Sequence, residues 1–242
     1  MGESKRRQAT GEPSPQRRKR ASRSGLLWGV VVLVVAAALA LAFYLSTPGT
    51  GPIGLPSVPA DQPPFPAEAD RFGVQLGDPE APVVVREFAD YQCPACARFA
   101  GTIDQLKREY IDTGNVRLVF FEMPLGQHAN AMPAAMAARC AGRQDAYWGM
   151  HDALFANQQT WAGIADPLER FTQYAQDLGL HEGRFQRCMT SEQTRSQVED
   201  SLAVAQQLRV ASTPTVIVDN IPLTRSNWEQ LSGVIEQQLA RD

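Results

Sequence analysis

The sequence predicts an α/β domain with an inserted all-helical subdomain, preceded by one transmembrane helix. Three patterns support this class. An uncharged run, GLLWGVVVLVVAAALALAFY, covers residues 25–44. An apolar strand pattern (residues 83–89), a helical pattern and a second strand pattern (residues 116–121) then follow one another. A hairpin pattern and a final helix close the chain, and residues 127–208, in between, show helical patterns throughout.

The N-terminal region reads as a tail and an anchor. Residues 1–24 carry eight Lys/Arg and two Glu, a net charge of +6, so we expect a disordered, cytosolic tail. Residues 25–45 are long enough to cross a bilayer, which takes about 20 apolar residues. The positive-inside bias then places everything after residue 45 outside the cytoplasm. A cleaved signal peptide is the alternative, with residues 38–40 as the cleavage site, but the apolar run exceeds a signal peptide's usual length.

Residues 46–66 are dominated by Pro and Gly and are predicted to be a linker. The chain carries −3 in total, so the residues after the basic tail carry −9, and we expect no nucleic-acid partner. The rest of the chain has the size of one domain. We divide it into an α/β part, residues 67–126 and 209–242, and an inserted helical subdomain, residues 127–208.

Two cysteines, Cys93 and Cys96, stand where the first strand gives way to the first helix. The thiolate is the nucleophilic form of cysteine, and a helix N-terminus stabilises an anion. Cys93, at the junction, gains more of this stabilisation than Cys96, a turn further in. We therefore predict that Cys93 is the nucleophile and Cys96 the resolving thiol. An inert disulfide staple is disfavoured because so short a loop is strained and stabilises little.

A zinc site is disfavoured by the number and spacing of ligands. The chain has one CxxC pair, and neither Cys140 nor Cys188 has a neighbouring cysteine or histidine at ligand spacing. We expect the three histidines to be surface or helix residues, and we predict no metal and no cofactor other than the dithiol.

The segment ASTPTVIVDN, residues 211–220, places Pro214 at the entrance of a strand, where proline is tolerated. Asp219-Asn220 then forms a turn into a partner strand. The last helix is predicted from Trp228 to Ala240, opened by a capping box of Ser226 and Glu229.

These motifs together resemble the DsbA-like thiol:disulfide oxidoreductases of thioredoxin fold, in their membrane-anchored or secreted single-domain branch. The resemblance rests on EFADYQCPAC (residues 87–96) and on Thr213-Pro214-Thr215, and covers residues 67–242. It implies that Pro214 is a cis-proline facing the dithiol and that Thr213 presents a backbone edge to the client peptide. It also implies that Glu87 is a buried acid relaying a proton to or from Cys96. The alternative is a solvent-facing Glu87 on a strand edge.

The resemblance also bears on the other two cysteines. If Cys93 pairs with Cys96, the remaining pairing is Cys140 with Cys188, and some family members staple the inserted subdomain in this way. The alternative is two buried free thiols that pack as small hydrophobic groups.

Three functions are compatible with these residues. The first is an oxidase that passes its disulfide to exported proteins and is regenerated by a quinone-linked membrane oxidase. The second is a reductase or isomerase, and the third a peptide-binding chaperone without catalysis. A chaperone would be expected to have lost a cysteine or Pro214, and isomerases of the family usually dimerise through an extra domain. We therefore favour a monomeric oxidase, single-pass in the cell membrane. Because Pro94-Ala95 carries no charge, we expect a less extreme oxidant than members with histidine there.

Overall fold

The computed structural model describes residues 28–29, 32–39, 54–58 and 62–241. The predicted tail, residues 1–24, lies outside the described residues. So does much of the predicted anchor and linker; within the anchor, residues 28–29 and 32–39 are helical and exposed. Across the described residues, no helix combines the length and the apolar character needed to cross a bilayer. The transmembrane helix therefore stays a prediction.

A five-stranded sheet forms the centre of the folded domain. Its strands are β1 (Val74–Leu76), β2 (Val83–Ala89), β3 (Val116–Glu122), β4 (Thr215–Val218) and β5 (Ile221–Pro222), in the order β1-β3-β2-β4-β5. β2 and β3 are parallel, and the other pairs are antiparallel. β2 therefore lies at the middle of the sheet. Its apolar sequence suits a strand covered on both faces.

Helices cover both faces of this sheet. On one face lie α1 (Pro94–Leu106), which continues into a π-helical turn (Lys107–Ile111), and α8 (Trp228–Leu239). The other face is covered by a 3-10 turn (Ala67–Phe72) and by part of a helix of the insertion. The predicted capping box is wrong by one residue: Asn227 caps α8 and accepts a hydrogen bond from the N–H of Gln230.

Six helices lie between β3 and β4, as the sequence predicts for the insertion. They are α2 (Ala131–Gly142), α3 (Tyr147–Ala156), α4 (Gln158–Trp161), α5 (Leu168–Asp177), α6 (Glu182–Met189) and α7 (Glu192–Gln207). Their core is continuous with the buried residues around the CxxC motif, including Tyr91, Cys93 and Cys96. The insertion therefore packs directly on the dithiol.

Candidate functional site

The dithiol stands at the start of α1. Cys93 is the N-cap residue, with an extended backbone, and Pro94 follows at the first helical position, where a missing N–H costs nothing. Cys93 and Cys96 are free thiols. Cys93 is 8% exposed and Cys96 is 0% exposed, so of the two only Cys93 offers any surface to a reactant.

Hydrogen bonds at the helix start favour the Cys93 thiolate. Burial by itself raises the pKa of the Cys93 thiol. The Thr213 side chain, the backbone N–H groups of Cys96 and Ala95 and the Cys96 thiol act in the opposite direction and outweigh it, so the pKa lies below its ordinary value of 9.0. These N–H groups belong to the first turn of α1, where they lack partners within the helix.

Cys96 has the opposite environment. Burial raises the pKa of its thiol well above the ordinary value, and Glu87 and Cys93, when they are ionised, raise it further. Cys96 therefore keeps its proton under conditions in which Cys93 loses it. This difference favours the predicted roles, with Cys93 as the nucleophile and Cys96 as the resolving thiol, and the roles themselves stay a prediction.

The Thr213–Pro214 segment lies against the dithiol. The peptide bond between the two residues is cis. The Cys93 thiol donates a hydrogen bond to the Thr213 carbonyl oxygen, with Sγ and O 3.6 Å apart. The Thr213 hydroxyl oxygen is buried and, within residues 62–241, has no hydrogen-bond partner of ordinary geometry. It is therefore free to donate to a thiolate, and it lowers the pKa of both thiols.

Glu87 lies inside the sheet, not on a solvent-facing edge. It sits in β2 between Phe120 of β3 and Val216 of β4 and is 1% exposed. Because side chains alternate along a strand, Glu87 shares its face with Val83 and Val85, which pack beneath α1. Burial raises the pKa of Glu87 from 4.5 to about 8. Its carboxyl group therefore carries a proton at neutral pH.

Hydrogen bonds to the insertion hold the CxxC loop in place, and no local sequence pattern predicts them. Gln158, the first residue of α4, donates from Nε2 to the carbonyl oxygens of Tyr91 at 2.7 Å and Cys93 at 2.9 Å. Gln92 accepts from the Asn130 N–H at 2.7 Å. These bonds fix the backbone on both sides of Cys93 to the helical insertion.

A buried hydrogen-bond chain continues behind the motif. His151 Nδ1 lies 3.1 Å from the Tyr91 hydroxyl, which lies 3.2 Å from the Tyr147 hydroxyl, and Tyr147 donates to Glu122 at 2.8 Å. Arg139 pairs with Glu122. Burial lowers the pKa of His151 to about 3, so the ring is neutral. Each of the two hydroxyl groups both accepts and donates a hydrogen bond when His151 donates from Nδ1 to Tyr91, Tyr91 to Tyr147 and Tyr147 to Glu122.

The other predicted residues lie elsewhere. Cys140 of α2 and Cys188 of α6 are bonded to each other, with Cα atoms 5.6 Å apart. His151 is a helix residue, as expected, but it is buried, and His128 contacts Asp90 at 2.7 Å. Among the described residues, no three His, Cys, Asp or Glu side chains form a group able to hold a metal ion.

One cavity adjoins the start of α1, and another adjoins the Thr213–Pro214 segment. One, of about 570 Å³, lies between the start of α1 and residues 155–160, and is lined by Pro94, Ala97 and Gln158 among others. The other, of about 730 Å³, is lined by residues on both sides of Thr213 and Pro214, by residues 62–66 and by the β4–β5 hairpin.

Comparison with known proteins agrees with this geometry. A family model described as thioredoxin matches residues 70–237. The probable disulfide bond formation protein D of Bacillus anthracis is 31% identical over 170 residues, 69% of this chain and 78% of that protein. Disulfide bond formation protein D of Bacillus subtilis is 29% identical over 174 residues, 68% of this chain and 76% of that protein.

Solved structures share the fold. The crystal structure of oxidised BdbD from Bacillus subtilis has a TM-score of 0.64 at 24% identity, covering 77% of this chain and 97% of that one. A thioredoxin-like oxidoreductase from Silicibacter pomeroyi has a TM-score of 0.57 at 28% identity, covering 71% of this chain and 94% of that one.

Parts of two longer proteins are also similar. They are the Na(+)/H(+) antiporters NhaA 3 of Salinispora tropica and NhaA 1 of Salinispora arenicola, at 35% and 34% identity. The chain spans 22% and 26% of their respective lengths. The matching family model and the Bacillus relatives thus agree with a CxxC motif at a helix N-terminus facing a cis-proline: this chain belongs to the thioredoxin family, among the DsbA-like thiol:disulfide oxidoreductases.

Proposed function

We propose that this protein is an extracytoplasmic oxidase that donates the Cys93–Cys96 disulfide to exported proteins. The observation that carries the proposal is the contrast between the two sulfurs. Cys93 is at the surface end of the motif, with its pKa lowered by donors, whereas Cys96 is fully buried, with its pKa raised. A stable Cys93 thiolate favours the reduced protein, and a protein that is stable when reduced oxidises its clients.

The reaction balances as two thiol–disulfide exchanges. A client thiolate attacks Sγ of Cys93, the Cys93–Cys96 bond breaks, and Cys96 leaves as a thiolate. Glu87, protonated at neutral pH, supplies the proton that this buried sulfur needs. A second client thiolate then attacks the client sulfur of the mixed disulfide, and Cys93 leaves as the stabilised thiolate. The client loses two electrons and the dithiol gains them.

The surroundings of Cys93 suit an unfolded client. One cavity is lined by Pro94, directly after Cys93, and another by Ser212 and Thr215, which flank the Thr213–Pro214 segment. The Thr213 carbonyl oxygen lies 3.6 Å from the Cys93 sulfur. The backbone of Thr213 would present an edge along which an extended client chain could bind. Reduced exported proteins are thus the proposed substrates, and the protein acts as a monomer.

The proposal includes a location and a redox partner. Residues 25–45 would anchor the protein in the cell membrane, with the N-terminus in the cytosol. A quinone-linked membrane oxidase would regenerate the disulfide by accepting the two electrons from Cys93 and Cys96. A protease added to intact cells should release the folded domain and leave the N-terminal tail protected. A mature chain that begins near residue 41 would show a cleaved signal peptide instead.

Trapping experiments test the roles of the two cysteines. Cys96→Ser should accumulate mixed disulfides between Cys93 and client proteins, because the resolving thiol is missing. Cys93→Ser should accumulate none. Equal trapping by the two variants would show that the difference between the sulfurs does not decide the chemistry.

The redox potential tests the direction. We expect equilibrium with glutathione to place the Cys93–Cys96 couple between about −270 mV, the value of thioredoxin, and about −120 mV, that of the strongest family oxidant. A couple at or below the thioredoxin value, with insulin reduction faster than substrate oxidation, would identify a reductase. A chain that binds unfolded proteins without exchanging disulfides would be a chaperone.

A further inference from the structure

A positively charged cavity lies over the Cys140–Cys188 disulfide, away from the dithiol. It has a volume of about 330 Å³ and lies where α2, α6 and the start of α7 meet. Besides the disulfide, its lining consists of five side chains: Arg143, Gln144, Arg184, Arg187 and Ser191. We call this cavity the arginine pocket. No carboxylate lines it.

The three guanidinium groups of the arginine pocket have no acidic partners. Within residues 62–241, none of them forms a salt bridge or a side-chain hydrogen bond with Asp or Glu. Elsewhere the fold pairs its less exposed arginines, as Arg139 with Glu122 and Arg86 with Asp70. The three arginines of the pocket are exposed, so water solvates them without acidic partners, and what distinguishes them is that they line one cavity together.

This gathering of charge is local. Residues 127–208 contain six arginines, no lysine and nine acidic residues, so the subdomain as a whole is acidic. Half of its arginines line this one cavity. Placing three like charges around one cavity costs Coulomb energy that water only partly screens, and a bound anion would offset that cost.

Neutral donors complete the lining. Gln144 uses its side-chain oxygen to accept the His181 N–H at 3.0 Å, which fixes the orientation of the amide. Its buried Nε2 then has no partner within residues 62–241. Ser191 is the N-cap residue of α7, yet its hydroxyl makes no capping bond to that helix. Every polar side chain in the arginine pocket can therefore donate a hydrogen bond to a ligand.

We propose that the arginine pocket binds a phosphate group. Guanidinium groups match phosphate oxygens in bidentate geometry, and three of them suit an anion with several oxygens and more than one negative charge. The cavity is larger than a bare phosphate ion and leaves room for a small substituent. Two sources share this chemistry: the headgroup of an anionic phospholipid and a soluble phosphate compound.

Thermal unfolding of the full chain in a neutral detergent tests the site, because a ligand that binds the folded state raises the unfolding midpoint. Inorganic phosphate is the first probe, compared with chloride at equal ionic strength. We expect a saturable rise in the midpoint with phosphate. Replacing one arginine should weaken the apparent affinity about tenfold or more, since a hydrogen bond to a charged group is lost.

The variants separate this site from general charge effects. Arg184→Gln with Arg187→Gln should abolish the rise, whereas Arg170→Gln, which replaces an equally exposed arginine of the same subdomain outside the pocket, should keep it. Circular dichroism without phosphate checks that the double variant folds, and the single variant Arg184→Gln takes its place if it does not.

Lipid vesicles distinguish the two sources. The full chain is reconstituted in phosphatidylcholine alone and in phosphatidylcholine with phosphatidylglycerol. A higher midpoint with phosphatidylglycerol, lost in the Arg184→Gln, Arg187→Gln variant, identifies the lipid headgroup. A response to inorganic phosphate without a response to phosphatidylglycerol identifies a soluble phosphate compound. No response to either probe, or equal responses in the double variant and the Arg170→Gln control, overturns the proposal.

Discussion

Replacing Glu87 by glutamine should stabilise the protein, and increasingly so as the pH rises. Glu87 lies in the central strand, is 1% exposed and has a carboxyl oxygen, Oε2, without a hydrogen-bond partner in residues 62–241. Its ionised form is thus poorly solvated in the folded state. Glutamine has nearly the same shape and carries no charge at any pH, so Glu87→Gln removes the cost of ionisation while keeping the packing.

The pKa of Glu87 sets the magnitude of this effect. Burial raises it from 4.5 to about 8 on folding, so the folded protein holds this proton more tightly than the unfolded chain does. The contribution of Glu87 to stability is therefore most favourable below pH 4.5 and falls as the pH rises towards 8. At about 1.36 kcal/mol per pKa unit, the cost at Glu87 is roughly 1 kcal/mol at pH 5, 3 at pH 7 and 5 at pH 9.

Urea unfolding followed by circular dichroism at these three pH values measures the difference. Both proteins carry Cys93→Ser and Cys96→Ser, so that thiol titration does not overlap with that of Glu87. The free energy of unfolding of the variant minus that of the parent should grow by about 4 kcal/mol from pH 5 to pH 9. Glu80→Gln, which replaces an exposed carboxyl, should stay within about 0.5 kcal/mol of the parent. A pH-independent difference, or a variant less stable than its parent at pH 9, would refute the desolvation argument.

Three further outcomes follow from the same structure. Thiolate absorbance against pH should show Cys93 ionising below the pKa of a free cysteine, about 8.5; a midpoint above it would remove the support for a stabilised thiolate. Replacing both Cys140 and Cys188 by alanine should lower the free energy of unfolding by up to about 4 kcal/mol, because the bond closes a loop of 48 residues, yet client trapping should persist. If a variant without the Cys140–Cys188 disulfide folds but no longer traps clients, the disulfide is needed for catalysis as well as for stability. Tyr147→Phe should lower the free energy of unfolding by about 1–3 kcal/mol, because buried Glu122 loses a hydrogen bond. An unchanged unfolding curve would argue that the hydrogen-bond chain behind the motif does not stabilise the fold.

Local patterns in the sequence determined the elements that carry the dithiol. The strand–CxxC–helix order placed Cys93 at the N-cap of α1, and the apolar runs gave β2 and β3 nearly their observed bounds. The helical insertion followed from periodicity in the same way. These features can be read from short stretches of sequence, because the spacing of apolar residues that marks a strand or a helix repeats every two to four residues. The roles of Thr213 and Pro214 came from the resemblance to a family.

The tertiary structure decided which groups are buried and how burial shifts their pKa values. Glu87 could have faced solvent; it is buried because β3 and β4 flank β2 on both sides and α1 covers its face. Gln158 lies 65 residues from Cys93 in the sequence, and no local pattern predicts its hydrogen bond to the CxxC loop. The same holds for the arginine pocket, formed by helices from separate parts of the insertion. A pKa depends on desolvation and on charges within a few ångströms, and the fold alone determines which distant residues come that close.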